Sequence, residues 1–189
     1  PLRTVRFHLR EVLRRFQPKL TKEEREVAIL EMLDKVGISN PELRLKQFPF
    51  EFSGGMRQRI MIAMALLTKP DMLIADEPTT ALDVTIQAQI LALVKELQEQ
   101  LGLTVVIVSH DFSVIAGICD QVYVMRNGLV LEHAPVDTIF AQSLHPYTQS
   151  LLKAARLEAS QGSVPADRDD SQLVQVGPEH WVRKEEKNG

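Results

Sequence analysis

Leu2, Val5, Leu9, Val12, Leu13 and Phe16 recur near helical spacing over the first 20 residues, with Arg3, Arg6, Arg10 and Arg14 as a basic stripe on another face. The stripe reads as a solvated helix face, with contact to acidic groups of a partner as the sharper alternative. Thr21-Lys-Glu-Glu24 has the spacing of a capping box and opens a helix through Val36, with Gly37 as its stop. Residues 38–51, holding Pro41 and Pro49, read as irregular. From Phe52 the chain runs Ser-Gly-Gly and then an unbroken series of helix formers to Leu67. The run Asp71 to Ala75 is a short apolar strand ending in Asp76 and Glu77. Ile86, Ile90, Leu93, Val94, Leu97 and Leu101 form a long helical stripe stopped by Gly102. Thr104 to Asp111 is β-branched and reads as a buried strand. Two apolar runs flank Asn127-Gly128, a hairpin signal. Residues 141–156 read as helix, and beyond Glu158 the chain reads as a tail interrupted by a small apolar patch, Leu173 to Val176 and His180 to Val182. Strands alternate with helices up to about residue 140, which predicts a layered α/β domain.

Composition changes this picture little. The 189 residues carry a net charge of −3, with 44% hydrophobic and 25% charged positions, enough for one domain and an appendage. Near-neutral charge gives no reason to expect nucleic acid as a partner. A single cysteine, Cys119, excludes a disulfide framework and a cysteine-based metal cluster, and suits a reducing compartment. No apolar run reaches the ~18 residues of a membrane span, and no signal peptide is visible. The first residue is Pro1 rather than Met, so coding sequence upstream is expected.

Three places carry candidate chemistry. A strand that delivers Asp76 and Glu77 to its C-terminal end puts two carboxylates where open parallel sheets bind ligands. Successive strand side chains face opposite ways, so one acid can hold Mg²⁺ through water while the other polarises an attacking water. The same residues also suit a strand that simply ends in polar positions before Pro78. At the mouth of the next helix upstream, Gly54 and Gly55 lack Cβ atoms, free N–H groups meet the positive end of the helix dipole, and Ser53 adds a hydroxyl. That is an anion site, or an ordinary serine cap with glycines for the turn. His110, after the second strand, can donate a hydrogen bond to phosphate or poise a water, or be a polar residue at a loop start.

Taken in order, these stretches resemble the ATP-binding-cassette (ABC) ATPases. Phe52-Ser-Gly-Gly-Met-Arg-Gln-Arg59 resembles the signature motif, usually Leu-Ser-Gly-Gly-Gln, with Phe52 and Met56 at the outer positions. Met72 to Pro78 resembles the Walker B strand, Thr80-Ala-Leu-Asp83 the D-loop, and Val108-Ser-His-Asp111 the switch-histidine segment. The likeness covers residues 1 to about 156. The finer resemblance is to ATP-binding subunits of dipeptide and oligopeptide importers, carried by Gly54 to Ile90, Val114 to Met125, His145 to Leu152 and the terminal Val176 to Val182. Many such relatives carry a cysteine-rich, iron–sulfur segment after the His-Pro-Tyr-Thr region; Cys119 alone cannot build one.

The resemblance implies a partial P-loop NTPase core of α/β class with an α-helical subdomain and a C-terminal extension. Residues 1–52 are the helical subdomain leading into the signature, 53–140 the C-terminal half of the core, and 141–189 an extension and flexible tail. It also implies ATP and Mg²⁺ as ligands. Glu77 is then the general base or water-polariser, Asp76 the Mg²⁺ residue, and His110 a contact to the γ-phosphate and attacking water. Asp83 lies at a dimer interface, and Ser53, Gly54, Gly55 and Met56 bind phosphate held by a second ABC ATPase domain. Met56 is the weak member, because it lacks the hydrogen bonds of a glutamine side chain. The helical subdomain faces a membrane permease at the cytoplasmic face of the membrane, and an extracytoplasmic solute-binding protein acts at one remove.

No glycine in the chain is followed by lysine, so the phosphate loop G-x-x-x-x-G-K-[ST] is not among these residues. The expectation is therefore the C-terminal part of a longer ATPase that couples ATP hydrolysis to uptake of peptides or similar solutes. On that expectation these residues by themselves bind ATP poorly and hydrolyse none. Two alternatives stand beside it. One is a catalytically silent, truncated partner or regulatory protein; the other is a non-transport ABC ATPase, whose usual coiled-coil or domain insertion is not visible here.

Overall fold

Thr21 accepts a hydrogen bond from the Glu24 amide at 3.2 Å, and the Glu24 carboxylate accepts from the Thr21 amide at 2.7 Å. This capping box starts the second helix of the chain where the spacing predicted it. In the computed structural model, which describes residues 2–155 and 171–184, the chain divides into two units, Pro1–Val108 and Ser109–Gly189.

The first unit begins with α1, Val5–Phe16, and α2, Lys22–Lys35. Val5, Leu9 and Leu13 of α1 are buried, as are Ile29 and Leu33 of α2. Removing each such side chain from water stabilises by about 1.5–3 kcal/mol. The basic stripe is largely answered inside the unit. Arg10 reaches Glu26 through Nε and Nη2 at 2.9 and 2.6 Å, Arg6 reaches the same carboxylate at 3.2 Å, and Arg14 pairs with Glu11 at 3.0 Å. Leu2 and Phe16 of the apolar pattern remain exposed. Pro41 and Pro49, expected in irregular chain, each open a short helical turn: α3, Pro41–Arg44, and a 3₁₀ turn, Pro49–Glu51. Proline is preorganised for that first helical position.

Helix α4, Gly54–Leu66, and helix α5, Val84–Leu101, pack on each other. Gly102 ends α5 at φ +64°, the left-handed stop the sequence indicates. Strands β1, Met72–Asp76, and β2, Thr104–Val108, pair in parallel, Met72 opposite Thr104 and Asp76 opposite Val108. The apolar runs imply that both strands are buried, and here the structure differs. Met72, Ile74, Val106 and Val108 are 51%, 68%, 40% and 50% exposed, and they alternate with half-buried Leu73, Ala75, Val105 and Ile107. The β1–β2 sheet has two strands, and among the described residues nothing closes over that face.

The second unit opens with the short helix α6, Phe112–Ile118, and a hairpin of β3, Gln121–Arg126, with β4, Leu129–Pro135. Asn127 and Gly128 at the turn take φ +51° and +80°, as a primed hairpin turn requires. Helices α7, Val136–Gln142, and α8, Pro146–Ala155, cover one face. Val124, Ala134, Ile139 and Leu152 form the core there, flanked by Phe112, Phe140 and Tyr147. The apolar patch expected inside a tail is ordered structure. Gln172–Gly177 (β5) and His180–Lys184 (β6) form a hairpin that extends the sheet in the order β3-β4-β6-β5. The remainder of that expected tail lies outside the described residues.

Candidate functional site

Ser53 sits in extended backbone, and its Oγ accepts a long hydrogen bond of 3.4 Å from the Met56 amide. It is thus the N-cap of α4. A hydroxyl that accepts here still has a proton to donate elsewhere, so capping and anion binding are compatible roles. The amides of Gly54 and Gly55 have no hydrogen-bond partner among the described residues, as expected in a first helical turn. Ser53 is exposed, and Gly54, Gly55 and Met56 are half-exposed.

The glycines have a structural reason that the sequence reading did not supply. A Cβ on Gly55 would lie 2.6 Å from Ile86 Cγ2, and one on Gly54 would lie 3.0 Å from Leu82 Cδ2. Their missing side chains let the start of α4 approach the start of α5 and the turn before it. The charged residues that follow are also structural. Arg57 donates to the Phe52 carbonyl at 2.9 Å and Arg59 to the Val36 carbonyl at 2.7 Å.

Asp83 caps α5, accepting from the Ile86 amide at 2.9 Å. Asp83 and Ser53 therefore mark the N-terminal ends of the two helices that the Gly55–Ile86 approach brings together.

Asp76 ends β1 and projects on the same exposed face as Met72 and Ile74. Glu77 is not the next strand residue, as two alternating carboxylates would require. It adopts a left-handed conformation, φ +47°, while its amide donates to the Val108 carbonyl at 2.9 Å. Its side chain accepts from Thr80 Oγ1 at 2.8 Å, and the Thr80 amide donates to the Glu77 carbonyl at 3.2 Å. The two acids are separated by a backbone turn rather than by strand pleat. Thr80 was missed by sequence reasoning, although a threonine three residues after a turn-forming acid is a recognisable local signal. Among the described residues no group of three His, Cys, Asp or Glu side chains is placed to hold a metal ion.

His110 belongs to the second unit, exposed, at the entrance to α6. The segment around it is set by caps: Asp111 accepts from the Ser113 amide at 2.8 Å and from its hydroxyl at 2.6 Å, and the Asp111 amide donates to Ser109 Oγ at 3.0 Å. Cys119 is no candidate nucleophile, since burial, with Asp120 beside it, raises its thiol pKa and keeps it protonated at neutral pH.

A capped glycine turn at one helix start, an acid turn after a strand, and a second capped helix follow one another in fixed order. Residues 3–80, which hold the first two, match the family model described as "ABC transporter". Over those residues the chain is similar to the ABC transporter family. Among curated relatives, the oligopeptide transport ATP-binding protein OppD of Mycoplasma genitalium is 49% identical over 152 residues, 80% of this chain and 38% of that protein. The dipeptide transport ATP-binding protein DppD of Bacillus subtilis is 51% identical over 177 residues, 93% of this chain and 50% of that protein. The chain thus spans half or less of these relatives' length. Among solved structures, the dimeric ABC transporter cassette MJ0796 superposes with a TM-score of 0.60 at 31% identity, covering 72% of this chain and 58% of that one. The cbiO1 protein of Clostridium perfringens, part of the complex cbiONQ, gives 0.59 at 32% identity over 66% of this chain and 48% of that one. The α/β reading, with the fold of a cassette core, therefore holds.

Proposed function

We propose that this chain supplies one half of a composite nucleotide pocket in the ATP-hydrolysing subunit of a peptide importer. The observation that carries the reading is the start of α4, where an exposed capping serine that can still donate precedes two half-exposed glycines whose amides have no partner among the described residues. Such an end attracts a phosphate by N–H donation and by the helix dipole. The phosphate is that of ATP carried by a second ABC ATPase domain, so that nucleotide becomes part of the contact between the two. Asp83, at the neighbouring helix end, belongs to the same contact.

Glu77 polarises the attacking water. Its carboxylate is oriented by Thr80, so it is preorganised before substrate arrives. Asp76 fits Mg²⁺, which commonly takes one or two carboxylates and fills its remaining positions with water and substrate phosphate. An exposed acid at a strand end leaves room for those waters and phosphate oxygens. Bound there, the ion would neutralise charge that develops on the transferring phosphoryl group. His110 contacts the γ-phosphate. Peptide as the transported solute is drawn from the names of the relatives. Among the described residues no helix is long and apolar enough to cross a membrane, and in this reading permease subunits provide the path, with this subunit at the cytoplasmic face.

The test is Glu77→Gln in the full-length protein. Phosphate release should fall to background while ATP-driven dimerisation persists. Hydrolysis at a near-normal rate would remove Glu77 from this role, and loss of dimerisation alone would point to a binding rather than a chemical function.

A further inference from the structure

Two segments typical of the importer branch, His145-Pro-Tyr-Thr148 and the terminal Glu179-His-Trp-Val182, take no part in the nucleotide chemistry. In the structure both end on one side chain. Glu132, in the middle of β4, has no solvent exposure. Its Oε1 accepts from the Leu144 amide at 2.7 Å and from His180 Nε2 at 2.8 Å, and its Oε2 accepts from the His145 amide at 3.2 Å. A carboxylate only accepts, so the His180 hydrogen is on Nε2. His145 Nδ1 in turn accepts from the Tyr147 amide at 3.1 Å, and the Tyr147 ring lies 4.7 Å beneath Arg126. The motif is folded back on itself so that two adjacent amides aim at one buried acid.

We propose that Glu132 is the closing point of a C-terminal strap. Its carboxylate joins the segment before α8 to His180 and thereby holds the hairpin Gln172–Lys184 on the sheet. The hairpin is well paired internally, at five positions between β5 and β6. Its ladder to the rest of the sheet is short: β6 pairs with β4 at Glu132↔Val182 and His133↔Trp181. Other contacts help, namely Trp181 stacked on His133 at 5.0 Å and Arg183 Nε donating to the Val130 carbonyl at 2.8 Å. Those contacts are half-exposed and replaceable by water. The clasp is not, because Glu132 and His180 are both buried, and opening it leaves Glu132 Oε1 and His180 Nε2 short of a hydrogen bond inside the fold. The strap does not depend on whether the chain hydrolyses ATP.

Amide hydrogen exchange on the 189-residue chain tests it, with Trp181, its only tryptophan, as an optical reporter. In His180→Ala, exchange in β6 should speed roughly 10–100-fold, the worth of a buried hydrogen bond to a charged group. The amides of Leu144 and His145, at the other end of the clasp, should speed with it. Trp181 emission should shift to the red, and His180→Gln, which keeps a donor, should restore most of the protection. Ile29 and Leu33 of α2 serve as unchanged controls. The strap is overturned if His180→Ala frees β6 while Leu144 and His145 stay protected, or if β6 stays protected. Glu132→Gln should release both ends together; should it unfold the second unit outright, the His180 pair of variants still decides.

Discussion

At position 55 a single methyl group sets how closely two helices approach. An alanine there places Cβ 2.6 Å from Ile86 Cγ2, an atom fixed on a β-branched stem, whereas at position 54 the neighbour is the mobile tip of Leu82 at 3.0 Å. We therefore expect Gly55→Ala to destabilise the first unit by about 1–3 kcal/mol, the usual cost of overpacking. Gly54→Ala should cost clearly less, and the Gly55→Ala penalty should vanish in an Ile86→Ala background. Urea unfolding of the four variants checks the order. Part of this site was legible residue by residue: Ser53 as a cap and Asp76 at a strand end. What stayed hidden depended on partners far along the chain. Nothing near Gly55 announces Ile86, and nothing near Arg59 announces the Val36 carbonyl.

Among elements, the capping box, the Gly102 stop and the Asn127-Gly128 turn were readable because each is encoded within a few neighbouring positions. Helix α7 was not, since it is a single seven-residue segment with only Ile139 buried. Strands β5 and β6 were read as a patch in a tail, because β6 pairs with β4 nearly fifty residues upstream. That pairing creates a three-ring row: Tyr123 on His133 at 3.9 Å and His133 on Trp181 at 5.0 Å. Burial lowers the His133 pKa below 6.5, with Glu179 opposing the shift and His180 adding to it, and Nε2 is buried without a hydrogen-bond partner among the described residues. The unfolded chain therefore takes up a proton before the folded one does. Its contribution to stability is complete above pH 6.5 and is lost as pH falls below that towards the depressed folded value. Trp181 emission should thus report loosening of the row on acidification. In His133→Phe, which keeps an aromatic ring, that pH dependence should flatten; an unchanged profile would assign it to another group.

For the molecule as a whole, the order of motifs was legible and the cover of the sheet was not. Runs such as Met72 to Ala75 and Val105 to Val108 are apolar at every position, the pattern of strands enclosed on both faces. The structure encloses one face, and leaves Met72, Ile74, Val106 and Val108 in the open. Adjacent strands bring the four together, and contiguous apolar surface of this kind drives association. The 189-residue chain should bind a hydrophobic dye and show concentration-dependent light scattering. Ile74→Lys with Val106→Glu should reduce both, with the helical content of α1 and α2 unchanged. If scattering persists undiminished, the sticky surface lies elsewhere.

Glu77 holds its backbone in a region that asparagine or glycine would occupy with less strain. An acid is therefore the uneconomical occupant of this turn on conformational grounds alone. Selection for thermal resistance, blind to turnover, would drift towards asparagine or glycine at 77, and, on the role proposed for Glu77, the hardiest descendants of such a lineage would be inert.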